Sequence, residues 1–245
     1  MSEKYPRRLA SVCGCALVLL FAMTRVQADS ESGESFAKEI AALDEVLRRN
    51  PNDAEAWQRR GSDHFRLGHI KESIADFDHF LQLQPDQAPY HWQRGIALYY
   101  AGRFEDGAKQ FELHKTVNPE DVENAAWHFL CIARFAGVEK ARASLFGIAH
   151  DSRPPMMQIH ALFAGKATPD EVLAAAGADD PQSRAAKMAH FYAHLYIGLW
   201  HEANGRADLA RKHITLAAEK YAGADYMGDV ARVHLKLLHE HDVAR

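Results

Sequence analysis

Cysteine is nearly absent from this chain. Three in 245 residues cannot build a disulfide framework. Glycine (15) and proline (9) are also few, which leaves little turn material and favours long helices. Neither sign of charge dominates: 29 Lys and Arg stand against 33 Asp and Glu, a formal −4. A general binder of phosphate backbones carries a basic surplus, so nucleic acid is not an expected partner. No stretch alternates apolar and polar residues with the period of a strand. The motifs of common reaction centres are missing as well: there is no Gly-x-Ser-x-Gly elbow, Gly-x-Gly-x-x-Gly turn, phosphate loop or Cys-x-x-Cys pair. No catalytic residue, cofactor or metal is expected. What is present, 47% hydrophobic and 25% charged residues, excludes wholesale disorder, collagen and a multi-span membrane protein.

Residues 1–28 read as a cleaved secretory signal. Lys4, Arg7 and Arg8 form a basic start, and an apolar stretch runs from Leu9 to Met23. As a helix it would be about 22 Å long, short of a ~30 Å hydrocarbon core. Val26-Gln27-Ala28 supplies small residues for cleavage, so the mature chain starts near Asp29. An uncleaved anchor is the alternative, since Arg25 sits close to the cut. Cys13 and Cys15 precede most of the apolar run, whereas a lipoprotein cysteine follows it. Removing the signal takes away four basic residues and one acid, which leaves a more acidic protein without an integral span. Cys131 remains, and its apolar helical surroundings read as core.

Internal spacing decides the fold class, which is all-α. Pro51, Pro85 and Pro119 recur every 34 residues, and Trp57, Trp92 and Trp127 every 35. The pair Gly61 and Gly68 returns 34 residues later as Gly95 and Gly102. Such a period marks the tetratricopeptide repeat, a helix-turn-helix unit stacked into a solenoid. Residues 36–51 read as the second helix of a truncated first unit. Repeats follow at 52–85 and 86–119, with a degenerate one at 120–150 whose second helix is expected over Ala141 to Ile148. Asp151 to Pro155 breaks the N-terminal part, 29–150, from a C-terminal helical part, 151–245. There the sequence predicts helices over Met156 to Phe163 and, behind the capping box Thr168-Pro169-Asp170-Glu171, over Pro169 to Ala176. Ala178 to Pro181 is a linker. A further repeat spans 183–222, and a helix over 225–241 caps the last apolar face.

The run Trp92-Gln93-Arg94-Gly95-Ile96-Ala97-Leu98-Tyr99-Tyr100-Ala101-Gly102-Arg103, together with this order of parts, resembles the NlpI-type bacterial envelope lipoproteins. The resemblance implies a non-catalytic adaptor. Proteins of that family hold cell-wall hydrolases and a processing protease in the periplasm, and they can form homodimers. The resemblance therefore also implies protein or peptide partners in the cell envelope. The family is anchored by lipid at the outer membrane. The missing lipobox leaves two locations here, free in the periplasm or anchored in another way.

First helices of successive repeats line the groove of such a solenoid. Its expected floor is Gln58, Ser62, Phe65 and Arg66 in one repeat and Trp92, Ile96, Tyr99 and Tyr100 in the next, an aromatic strip suited to a peptide or helix. Packing between neighbouring helices is the alternative role for these rings. Gln58 and Ser62 stand where tetratricopeptide domains that clamp a C-terminal carboxylate carry Lys and Asn, so a chaperone-tail receptor is not expected. His190, His194 and His201 fall on one helical stripe, and the first two have the spacing of a zinc pair. A metal-dependent enzyme on this stripe is the competing function, and a spacer without a ligand is the third. Helical rise puts His194 and His201 about 10 Å apart, too far to share one ion, which favours core packing. His234, His239 and His241 on the last helix are expected to be solvated.

Overall fold

The computed structural model describes residues 33–177 and 183–243. The expected signal at 1–28 and the linker at 178–181 lie outside the described residues. Within them every regular element is a helix, and the architecture is a tetratricopeptide-like α-solenoid.

The helix α1 covers residues 33–49. It buries Leu43 and Leu47 against Ala56 and Trp57 of α2, Ala54–Leu67. α2 pairs with α3, Ile70–Leu83. A Cβ on Gly61 would stand 2.7 Å from Cδ1 of Phe77, so the missing side chain is what lets these two helices approach. Phe77 is fully buried there, a contribution of roughly 1.5–3 kcal/mol. α2 stops at Gly68, whose φ of 80° is a conformation that side chains with a Cβ resist. Trp57 lies between the two helices, its ring 4.1 Å from that of His79.

A 3₁₀ turn, Pro85–Tyr90, leads into α4, Trp92–Tyr100, and α5, Phe104–Lys115. The degenerate unit holds α6, Val122–Ala136, and α7. The second helix expected over Ala141 to Ile148 is instead Val138–Ala143. The cause lies in the competing hydrogen bonds beyond it. Backbone N–H groups of Ala149 and His150 donate to the Glu120 carboxylate at 2.6 and 3.1 Å, and the carbonyl of Phe146 faces Nε2 of His160 at 2.7 Å. The segment is thus held outside any regular helix. Cys131 of α6 is buried against Gly107.

Two short helices follow as the sequence predicts, α8, Met156–Phe163, and α9, Pro169–Ala176 with both halves of its Thr168/Glu171 capping box formed. They wedge between α6 and α10, Arg184–Ala203. α11, Ala207–Leu216, ends in a π turn, Ala217–Tyr221. Ile214 of α11 fits against Gly198 of α10, as Phe77 fits Gly61.

The last helix, α12, Tyr226–Val243, corrects the expectation of a simple cap. It touches α11 and the π turn, but it also runs back across the groove to α2. Val230, Ala231 and Val233 are buried by this return. His234, expected in solvent, is 4% exposed. His239 is exposed as expected, and the side chain of His241 lies outside the described set.

Candidate functional site

The residues assigned to the groove floor divide into two groups, because α12 covers one end of the groove. Phe65 is completely buried, with its ring stacked on Tyr226 of α12 at 5.4 Å and tilted against Tyr100 at 5.7 Å. Arg66 donates from Nε to Asp229 Oδ2 at 2.8 Å and from Nη1 to Asp63 Oδ1 at 2.7 Å. Tyr99 is 5% exposed and packs edge to face on Trp127. The hydroxyl of Tyr100 lies 3.0 Å from Nδ1 of His234, whose Nε2 lies 3.0 Å from Glu202. Burial would raise the Glu202 carboxyl, but His234 and Arg134 outweigh it and hold it below the usual range. Gln58 and Ser62 are half-buried, and the Ser62 hydroxyl donates back to the Gln58 carbonyl at 3.0 Å. Phe65 and Tyr99 are therefore interior side chains at this end, and Tyr100 is half-buried beside them. The expectation of an open strip fails there, since the chain's own last helix occupies the seat.

Trp92 and Ile96 have the other fate. They face a cavity of about 350 Å³ that α12 leaves uncovered. Five helices converge on it. α4 gives Trp92 and Ile96, α5 gives Phe111 and His114, α6 gives Glu123, Asn124 and Trp127, α10 gives Tyr192, and α12 gives Tyr226, with Asp225 just ahead of it. Trp92 meets Tyr226 edge to face at 5.2 Å.

Beside these rings sits a buried acid. Glu123 accepts from the Tyr196 hydroxyl at 2.9 Å and pairs with Arg153 at 2.6 Å. Arg153 is shared with Asp121 at 3.0 Å and Asp151 at 2.6 Å. Burial first, and the neighbouring Asp121 charge second, push the Glu123 carboxyl up to about 7 against the pull of Arg153 and Tyr196. The cavity thus joins an aromatic wall to the carboxyl groups of Asp121, Glu123 and Asp225. Sequence reasoning missed Glu123, Tyr192, Asp225 and Tyr226. Trp127 carried a signal, being third in the tryptophan series, but the return of α12 that brings Asp225 and Tyr226 left none.

The histidine stripe is buried. His190, His194 and His201 are 1%, 8% and 4% exposed, and His194 meets His213 of α11, Nδ1 to Nδ1, at 2.9 Å. Among the described residues no group of three or more His, Cys, Asp or Glu side chains is placed to hold a metal ion. No helix among them is long and apolar enough to cross a membrane.

The chain is similar, at low identity, to several curated proteins, one of them named for its TPR repeats. It is 28% identical over 94 residues to a Protein SGT1 homolog of Bos taurus, covering 37% of this chain and 28% of that protein. It is 22% identical over 109 residues to Hsp70-Hsp90 organizing protein 3 of Arabidopsis thaliana, covering 42% and 20%. A TPR repeat-containing protein of Rhizobium etli is 37% identical over 43 residues, covering 18% and 21%. The chain spans under a third of the length of each. No protein-family model matches it.

Proposed function

We propose that this protein is a non-catalytic, exported scaffold that holds other envelope proteins through the part of its groove left open by α12. One observation carries the reading: on a tetratricopeptide-like frame, a cavity of about 350 Å³ presents Trp92, Trp127, Tyr192 and Tyr226. Rings of this kind give large contact area at small cost in conformational entropy and dominate protein interfaces. The relative named for organising Hsp70 and Hsp90 supports a partner-holding role. The resemblance to NlpI-type adaptors suggests cell-wall hydrolases or a processing protease as the occupants. Export rests on Lys4, Arg7 and Arg8 ahead of the apolar run, and sequencing the N-terminus of the secreted protein tests it: Asp29 is the expected first residue. A homodimer through α1 extends the proposal. Val46 is 40% exposed beside buried Leu43 and Leu47, so Val46→Glu is expected to convert a dimer to a monomer in light scattering. A wild-type monomer at all concentrations removes that extension.

Affinity capture from the envelope with the purified protein, followed by mass spectrometry, tests the main reading. A defined partner is expected, and Trp92→Ala with Tyr192→Ala is expected to cut its recovery at least about tenfold with the helical circular dichroism kept. Recovery indifferent to both changes would show that the groove is not the seat.

A further inference from the structure

We infer that the open cavity is a receptor for one basic side chain, a lysine or arginine carried on an extended segment of a partner protein. The inference rests on the adaptor reading for the source of that side chain, and on the cavity alone for its charge.

Three independent features select a cation. The first is the wall. Trp92, Trp127, Tyr192 and Tyr226 line the space, and the faces of such rings attract ammonium and guanidinium groups. The protein's own cations already sit this way at the margin: the guanidinium of Arg153 lies 6.0 Å from the Tyr192 ring and that of Arg66 lies 5.9 Å from the Tyr226 ring. The second is the charge balance. Asp121, Glu123 and Asp151 share the single guanidinium of Arg153. Asp225 accepts the backbone N–H of Gly228 at 2.9 Å and has no ion-pair partner among the described residues. The third is the set of polar atoms left open. Oδ1 of Asn124 and the hydroxyl of Tyr226 are buried without a hydrogen-bond partner, and both can accept from a charged N–H donor. Asn124 is 4% exposed and its amide nitrogen is spent on the Phe111 carbonyl at 3.2 Å, which leaves Oδ1 as a pure acceptor.

One further atom separates a peptide from a free amine. Nε1 of Trp127, 2% exposed, is likewise buried without a partner, and it can only donate. A small ammonium ion offers it nothing. A peptide carrying the basic side chain offers a backbone carbonyl, so donor and acceptors in the cavity are satisfied together. Its volume, about 350 Å³, is that of a small-ligand pocket.

The test titrates the purified protein with the blocked tripeptides Ala-Lys-Ala and Ala-Arg-Ala, with the neutral norleucine analogue, and with tetramethylammonium. Tryptophan fluorescence and calorimetry are the readouts. At least one basic tripeptide is expected to bind about tenfold or more tighter than the norleucine analogue. Asp225→Asn keeps the N-terminal cap of α12, since asparagine caps as well as aspartate, and is expected to remove most of that preference. Tyr192→Leu, on a different helix, is the second variant and is expected to weaken the basic peptides alone. Equal binding of the lysine, arginine and norleucine peptides, or none at all, overturns the inference, and does so even when the capture experiment finds a partner. Tetramethylammonium binding as tightly as the basic peptides overturns the choice of a peptide source. Selective binding of a basic tripeptide without any captured envelope protein supports the cavity's charge and removes the adaptor.

Discussion

Arg66 on α2 and Asp229 on α12 are 163 residues apart in sequence and 2.8 Å apart in space, Nε to Oδ2. With Lys236, which donates to the Leu67 carbonyl at 2.8 Å, this pair fixes the end of the chain on its first complete repeat. Asp63 completes the knot as the second acceptor of Arg66, and burial raises its carboxyl despite that bond.

Arg66→Ala is expected to cost about 2 kcal/mol, because it leaves Asp63 buried without its cation. Asp229→Asn alone should cost less. A double-mutant cycle in urea is expected to give a coupling on the order of 1 kcal/mol between the two sites. Additivity would mean that α12 is held by its apolar face alone.

Gly198→Ala sets two effects against each other. Alanine gains roughly 1 kcal/mol over glycine within a helix, but the new Cβ would meet Ile214 Cδ1 at 2.8 Å and its backbone nitrogen at 3.1 Å. A backbone atom cannot swing aside, and overpacking costs about 1–3 kcal/mol. A lowered melting temperature is the expected result. A rise would show that α10 and α11 are free to separate.

Stability should fall between pH 6.5 and 4. Burial holds His91, His194 and His213 down to about 4, against an unfolded value of ~6.5. A histidine depressed on folding binds its proton more readily when unfolded. Its contribution is complete above the unfolded value and lost as the pH drops through the window. The contact of His194 with His213, Nδ1 to Nδ1 at 2.9 Å, has the same sense, since one ring must accept there. Glu123 acts in the opposite direction. Its carboxyl is raised to about 7, so its share is present at low pH and lost as the pH rises through 7. Urea midpoints from pH 4.5 to 7.5 should therefore peak near neutrality. His194→Leu with His213→Leu should flatten the acid limb, and an unchanged slope would remove these rings from its cause.

Ending the chain after Asp225 removes α12 and opens the surface beneath it. Phe65, now fully buried, and Tyr100 would face water. The truncated protein is expected to bind a hydrophobic dye and to associate. A monomeric product that binds no more dye than the full chain would mean that the repeats close over the groove unaided.

The repeats were readable because their determinants are local. Gly61 and Phe77 meet within one hairpin, and a 34-residue period repeats that meeting further along the chain. The helix over Pro169–Ala176 was readable for the same reason, its capping box lying within four residues. The irregular stretch after α7 was not, since Glu120 reaches it from 29 residues away. The destination of α12 was hidden for a deeper reason. Val230 and Val233 make an apolar face whether it covers the last repeat or folds back onto the first. Long-range polar contacts such as Arg66 with Asp229 and Lys236 with the Leu67 carbonyl distinguish the two, and they leave no periodic trace. The candidate site inherits this blindness: Trp92 and Ile96 could be named, but Asp225 and Tyr226 could not be brought to them.

A row of repeats that touch only their neighbours can start folding anywhere and can fray from either end. The seating of α12 on α2 removes that freedom. A segment far along the chain completes the packing of one much earlier, so distant parts of the chain must meet before either is finished, and such meetings slow folding. The molecule behaves as a clasped bracelet rather than a string of beads, and damage at its tail is felt at its head.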